Sequence, residues 1–331
     1  LNCKNKNINF NYDNLIKNNK YSYLNSHVKQ KNENFDQSKK IIIITLKNKK
    51  FGLGHYKRAL VIKREILERL SMVPKIFLLN NKKDINKLKK ELNLKKDDNT
   101  RLYIFDIPKK YLVYFQNIKT FNKKIIIDNF TKSQSDITII PSIRKIKSVN
   151  SIGPEYLILN RKIIFDYLKW KMQKNKYIYD FVIITGGTFQ ISKKLLLDAI
   201  KLNKEKKIIF ILGPFVSNKN KNLLKKNNLK YISDPKNYFN IILSSKNVIS
   251  RFGNSVNEVI YLKKKPWIYF YKDSEERKKD INYLFKLGFA SKYNFEKIIN
   301  SKTVNYIKKP KKMFLGGKNV IPKIKYCYKR I

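Results

Sequence analysis

The sequence predicts an α/β protein built from two successive doubly wound parallel-sheet domains with a cleft between their facing sheet edges. Three observations point there. From residue 41 onward, short β-branched runs alternate with helical segments. The alternation restarts with "FVIIT" at 181–185. A small-residue loop follows the first strand of each series, Gly52-Leu53-Gly54 in one and Gly186-Gly187 in the other. Strands that alternate with helices pair in parallel through right-handed crossovers, and ligands of such sheets bind beyond the carboxyl ends of the strands.

Residues 1–39 are rich in Lys and Asn, poor in aliphatics and aperiodic, and read as a low-complexity extension, a linker or the tail of an upstream domain. The first domain is expected over 40–165, with strands at 41–45, 75–79, 102–106, 124–127 and 137–140. Its clearest helix starts near Gly54 or His55, where Leu60, Ile62, Ile66, Leu67 and Leu70 recur at helical spacing and mark a buried face. The helical stretch "RKIIFDYLKWKMQKNKY" joins it to a second domain over 166–331, whose strands are expected near 181–185, 207–212, 230–232, 247–249 and 267–271.

A chain of 331 residues, 42% hydrophobic, can bury large cores. A net charge of +50 alone would suit a polyanion binder. Lysine, however, carries nearly all of it and is spread along the whole chain among Asn and Ile, the pattern of a coding bias. Specific nucleic-acid recognition is therefore not expected, whereas weak nonspecific affinity for anions, including weak peripheral membrane contact, follows from the charge. Cys3 and Cys327 stand far apart and His27 lies within the aperiodic segment, so neither a metal site nor a disulfide framework is expected. The apolar runs have strand length, far short of the ~20 residues of a membrane helix, and the chain reads as soluble and cytoplasmic. It starts at Leu1 without Met or a signal-peptide core, and so reads as a fragment or the end of a longer polypeptide.

Three loops could carry chemistry. In "KNKKFGLGHYKRAL", Gly52 and Gly54 allow close backbone approach, and the helix start favours an anion such as a phosphate. It is not a P-loop, since G-x-x-x-x-G-K-[ST] is absent. It is not a dinucleotide fingerprint either: Lys57 occupies the third glycine position, and Asn80 and Asn81 stand where an acid is needed. The residues leave two roles open for His55, a general base or a side chain that caps or packs at the helix start. In "SRFGNSVNEVIYLKKKPWIYFY", Gly253, Asn254 and Ser255 could receive a diphosphate while Glu258 accepts from a ribose diol; alternatively Ser255 to Glu258 form an S-x-x-E capping box. The Gly186-Gly187 turn is the third loop.

Read together, G-x-G-H-x-x-R, Ile127-Asp128, "GPEYLILNRKI", Gly186-Gly187-Thr188 and "FGNSVNEVIYLKKKP" resemble the nucleotide-sugar hydrolase family of pseudaminic acid biosynthesis. That family acts on UDP-2,4-diacetamido-2,4,6-trideoxy-β-L-altropyranose. The chain is also similar to the SpsG spore-coat polysaccharide proteins and, more distantly, to the MurG glycosyltransferase. The resemblance spans about residues 40–300. It implies a GT-B fold, His55 as the catalytic histidine assisting water at the anomeric carbon, and UDP as leaving group. It further implies that Gly253, Asn254, Ser255 and Glu258 hold the nucleotide, and that Tyr156 lies in the sugar pocket. Gly52, Gly54, Arg58, Asp128, Gly186, Gly187 and Thr188 would complete the substrate site, with no metal and no cofactor. The family's Gly-Gly-Ser-Asp is Gly-Gly-Thr-Phe here, and its Leu-Arg-Pro element is Leu159-Asn160-Arg161. The leading expectation is hydrolysis of a UDP-linked diacetamido-trideoxy sugar in nonulosonic acid or surface-glycan biosynthesis. A GT-B glycosyltransferase is the near rival, and a noncatalytic polyanion-binding protein the rival of another class.

Overall fold

The aliphatic run Lys40–Leu46 (β1) is apolar on both faces because it lies inside a sheet covered on both sides. Ile41 and Ile43 enter one core, Ile44 and Leu46 the other. The computed structural model describes residues 40–49, 52–93, 101–115, 123–128, 137–142, 144, 151–173, 177–187, 189, 191–271, 273, 275–300, 307 and 319–330. The extension expected over 1–39 lies outside these residues, as do Cys3 and His27.

After β1 come α1 (Gly54–Leu70), β2 (Lys75–Leu79), α2 (Lys82–Asn93), β3 (Arg101–Asp106), α3 (Lys109–Leu112), β4 (Lys123–Ile127) and β5 (Ile137–Ile139). The strands form one parallel sheet in the order β2-β1-β3-β4-β5. A 3₁₀ turn, Pro154–Tyr156, and α4 (Lys162–Met172) lead to the second domain. There follow β6 (Tyr179–Ile184), α5 (Lys193–Leu202), β7 (Ile208–Leu212), α6 (Asn218–Lys226), β8 (Tyr231–Ser233), α7 (Tyr238–Leu243), β9 (Ser245–Arg251) and α8 (Asn254–Tyr261). β10 (Trp267–Tyr269), α9 (Glu275–Lys286), β11 (Ser291–Lys292), α10 (Phe295–Ile299) and α11 (Val320–Lys329) follow. This sheet is also parallel, in the order β11-β10-β9-β6-β7-β8.

Two features depart from the sequence reading. α1 does not bury the face its aliphatics suggested: Ile62, Ile66 and Leu70 are covered, but Leu60 and Leu67 are 42% and 46% exposed. Their places on the buried face are taken by Arg58 and Glu65, charged residues satisfied by ion pairs. α11, expected with the rest of 166–331 in the second domain, packs on the first. Val320, Ile321, Ile324, Cys327 and Tyr328 recur at helical spacing and join the core of β1, β3, β4 and α1.

The domains meet through side chains as well as through the chain. Arg144 Nε donates to Asp280 Oδ1 at 2.7 Å, and Ser142 Oγ reaches the same oxygen at 3.3 Å. Among the described residues no helix is long and apolar enough to cross a membrane.

Candidate functional site

Parallel pairing sends the carboxyl ends of β1, β6, β7 and β9 toward one cleft of about 530 Å³ between the two sheets. From the first domain it is lined by Leu53, Gly54, Lys57 and Arg58, and from the second by Gly186, Gly187, Gly213, Tyr238, Asn254, Ser255 and Glu258. Beside the lining Gly187 two of the loops touch backbone to backbone. Gly52 adopts a left-handed φ of +73°, and a Cβ on Gly187 would stand 2.7 Å from the Gly52 Cα. A Cβ on Gly213 would overlap the Gly186 and Gly187 backbone as well.

The second residue of α1 is His55, whose side chain is 18% exposed. Its Nδ1 lies 2.7 Å from Oδ1 of Asp106, a fully buried carboxylate at the end of β3. Arg58, one turn along α1, grips the same carboxylate with both edges of its fork, Nε to Oδ2 at 2.8 Å and Nη2 to Oδ1 at 2.5 Å. Its Nη1 donates to Asp128 Oδ2 at 2.9 Å. Asp128 itself sits in the left-handed region at φ 61°, a conformation that Asp tolerates better than most residues. Burial pushes the Asp106 carboxyl up, but the charge and hydrogen bonds of Arg58, then of His55, outweigh it and hold the group below its ordinary range. Burial likewise opposes the Arg58 charge, and Asp106 and Asp128 more than restore it. The cluster is thus an imidazole–carboxylate–guanidinium chain in which Asp106 and Arg58 are buried and held ionised by each other.

Across the cleft, α8 starts at Asn254 with the extended Gly253 as its N-cap. Ser255 lies inside the helix rather than before it, so the capping box allowed by the sequence does not form. Glu258 lines the cleft instead, where the Tyr238 hydroxyl donates to it and the Ser255 hydroxyl donates to Tyr238. Burial raises the Glu258 carboxyl to about 7, against the opposing effects of Lys57 and the Tyr238 hydrogen bond. Lys57 bridges the domains with a long 3.5 Å contact to Asp234.

Of the residues expected at the site, Gly54, Arg58, Gly186, Gly187, Asn254, Ser255 and Glu258 line the cleft. His55, Gly52 and Gly253 are not among the cleft-lining residues: His55 lies on α1 between the lining Gly54 and Arg58, Gly52 touches the lining Gly187 through its backbone, and Gly253 is the N-cap of α8. Asp128 is drawn in through Arg58. Tyr156 packs against the first core and is not among the cleft-lining side chains. Thr188 lies outside the described residues. Asp106, Tyr238 and Gly213 were not anticipated; an acid closing the buried run "RLYIFD" was the one available signal for Asp106. Among the described residues no group of three or more His, Cys, Asp or Glu is placed to hold a metal ion.

Two facing parallel-sheet domains with a cleft at their strand ends define a GT-B protein. No protein-family model and no curated protein matches the sequence. Solved structures do. The UDP-GlcNAc 2-epimerase of Methanocaldococcus jannaschii, in complex with UDP-GlcNAc and UDP, aligns with a TM-score of 0.51 at 13% identity, covering 87% of this chain and 99% of its own. The UDP-GlcNAc 2-epimerase of Neisseria meningitidis bound to UDP-GlcNAc gives 0.51 at 12% identity, covering 87% and 100%. MurG of Acinetobacter baumannii gives 0.49 at 10%, covering 78% and 89%. The likeness is one of fold.

Proposed function

We propose that this chain is an enzyme that cleaves a UDP-sugar, and that the reaction is hydrolysis of a UDP-linked diacetamido-trideoxy sugar to UDP and the free sugar. The observation that carries the reading is the pairing of two unlike walls across one cleft. On one side Gly54, Lys57 and Arg58 line the cleft, and His55, the α1 residue after Gly54, has its imidazole held by a carboxylate behind them; the other side offers a helix start and a carboxyl group beside Tyr238. A nucleoside diphosphate suits the second wall, since free N–H groups and the helix dipole favour phosphate and a carboxylate accepts from a ribose diol. The ligands in the two epimerase structures belong to the same class.

In the proposed step His55 takes a proton from water, the water oxygen bonds to the anomeric carbon, and the bond from that carbon to the diphosphate oxygen breaks. Its electron pair leaves with UDP. Purified protein incubated with UDP-sugars should release UDP without any acceptor. Release only when an acceptor is present would convert the reading to that of a glycosyltransferase, and no release with any UDP-sugar would end it. His55→Ala should lower turnover about 10²- to 10⁴-fold while UDP affinity stays close to that of the unaltered protein.

A further inference from the structure

Asp106 lies outside the glycine loops, yet it is the most completely engaged carboxylate at the site. Its Oδ1 is 2.7 Å from His55 Nδ1, and Arg58 holds both of its oxygens. Arg58 Nη2 also comes within 3.2 Å of His55 Nδ1, so two tautomers compete. If Nδ1 were bare and accepted from Arg58, its lone pair would face an ionised oxygen at 2.7 Å, which is repulsive. If Nδ1 carries the proton, the short contact becomes a charge-assisted hydrogen bond and Arg58 binds the carboxylate alone. The second arrangement wins, because the 2.7 Å contact to the ionised oxygen is shorter than the 3.2 Å approach of Arg58 and is attractive only when Nδ1 carries the proton, while Arg58 keeps its bonds to Asp106 and Asp128 in either case.

We propose that Asp106 is the positioning residue for His55: it holds the proton on Nδ1 and leaves Nε2 as the one ring nitrogen able to accept a proton. Asp106 touches no substrate. Arg58 keeps it ionised and fixed, and Asp128 anchors the far side of Arg58. The catalytic consequence rests on the UDP-sugar reading; the tautomer does not.

The chain contains only two histidines, His27 and His55, so long-range ¹H–¹⁵N correlation on the full histidine-labelled protein resolves both rings, with His27→Gln supplying the assignment. In the unaltered protein neutral His55 should carry its proton on Nδ1. Asp106→Asn should shift it toward Nε2 and lower kcat about 10²- to 10⁴-fold with UDP affinity retained. A proton on Nε2 in the unaltered protein, or an Asp106→Asn protein with unchanged tautomer and rate, overturns the proposal. Should Asp106→Asn fail to fold, the spectrum of the unaltered protein decides. If no UDP-sugar is turned over, the reading of function fails while the spectrum still tests Asp106.

Discussion

At pH 7 the Glu258 carboxyl stands near half-protonation, because burial lifts it to about 7 from an ordinary value of 4.5. The unfolded chain ionises first as pH rises. The group's contribution to stability is therefore complete below about 4.5 and is lost as pH climbs through about 7. Glu258→Gln, which cannot ionise, should lose less stability than the unaltered protein across that window, as melting curves at pH 4.5 and 8 would register. The same substitution separates structure from binding. With no capping box at α8, a ribose contact to the carboxylate predicts UDP binding weaker by about 1.5 to 3 kcal/mol in calorimetry at pH 8. Unchanged affinity would leave Glu258 with only its Tyr238 bond.

Lys264 shows how elements of the second domain are locked to each other. It is 2% exposed, and its Nζ donates to the Leu243 carbonyl at the end of α7 at 2.9 Å and to the Ser245 carbonyl at the start of β9. Its head also lies 5.9 Å from the Trp170 ring centre and 5.2 Å from that of Tyr177. Burial lowers it to about 7 from 10.5. Between those values the unfolded chain binds more protons, so its contribution is fully present above about 10.5 and is lost as pH falls through about 7. Lys264→Met should flatten the rise in stability between pH 7 and 10, read by denaturant titration at each pH. Elements were the most legible scale in the sequence: every expected strand is present within two residues at each end, because strands buried on both faces write unbroken β-branched runs. β11, two residues long, leaves no such run. The face of α1 was misjudged at Leu60 and Leu67 because apolar periodicity is blind to charged residues that are buried in pairs, as Arg58 and Glu65 are. The glycine loops were legible for the same local reason as the strands. Asp106 was not, since it reaches His55 across 51 residues of sequence and only the β1–β3 pairing brings them together.

For the molecule as a whole, the backbone contact of Gly52 with Gly187 fixes how closely the two domains approach. Gly187 is not in the left-handed region, so alanine is tolerated locally and its Cβ must push the Gly52 loop away. Gly187→Ala should therefore widen the cleft and raise KM for the nucleotide sugar while leaving both cores folded. Small-angle scattering together with a near-normal melting temperature would register it, and unchanged KM and scattering would deny the contact any role in spacing the domains. α11 ties the domains in the opposite sense, because a segment beyond the second sheet covers the first. During synthesis on the ribosome, the first sheet is complete in sequence by residue 139, but Ile41, Ile43, Leu102 and Ile104 acquire part of their cover only when residues 320–329 emerge. The first half of the protein must therefore pass through the translation of the entire second half with one greasy side unfinished, which makes it the natural client of a holding chaperone and the half most exposed to premature arrest of the message.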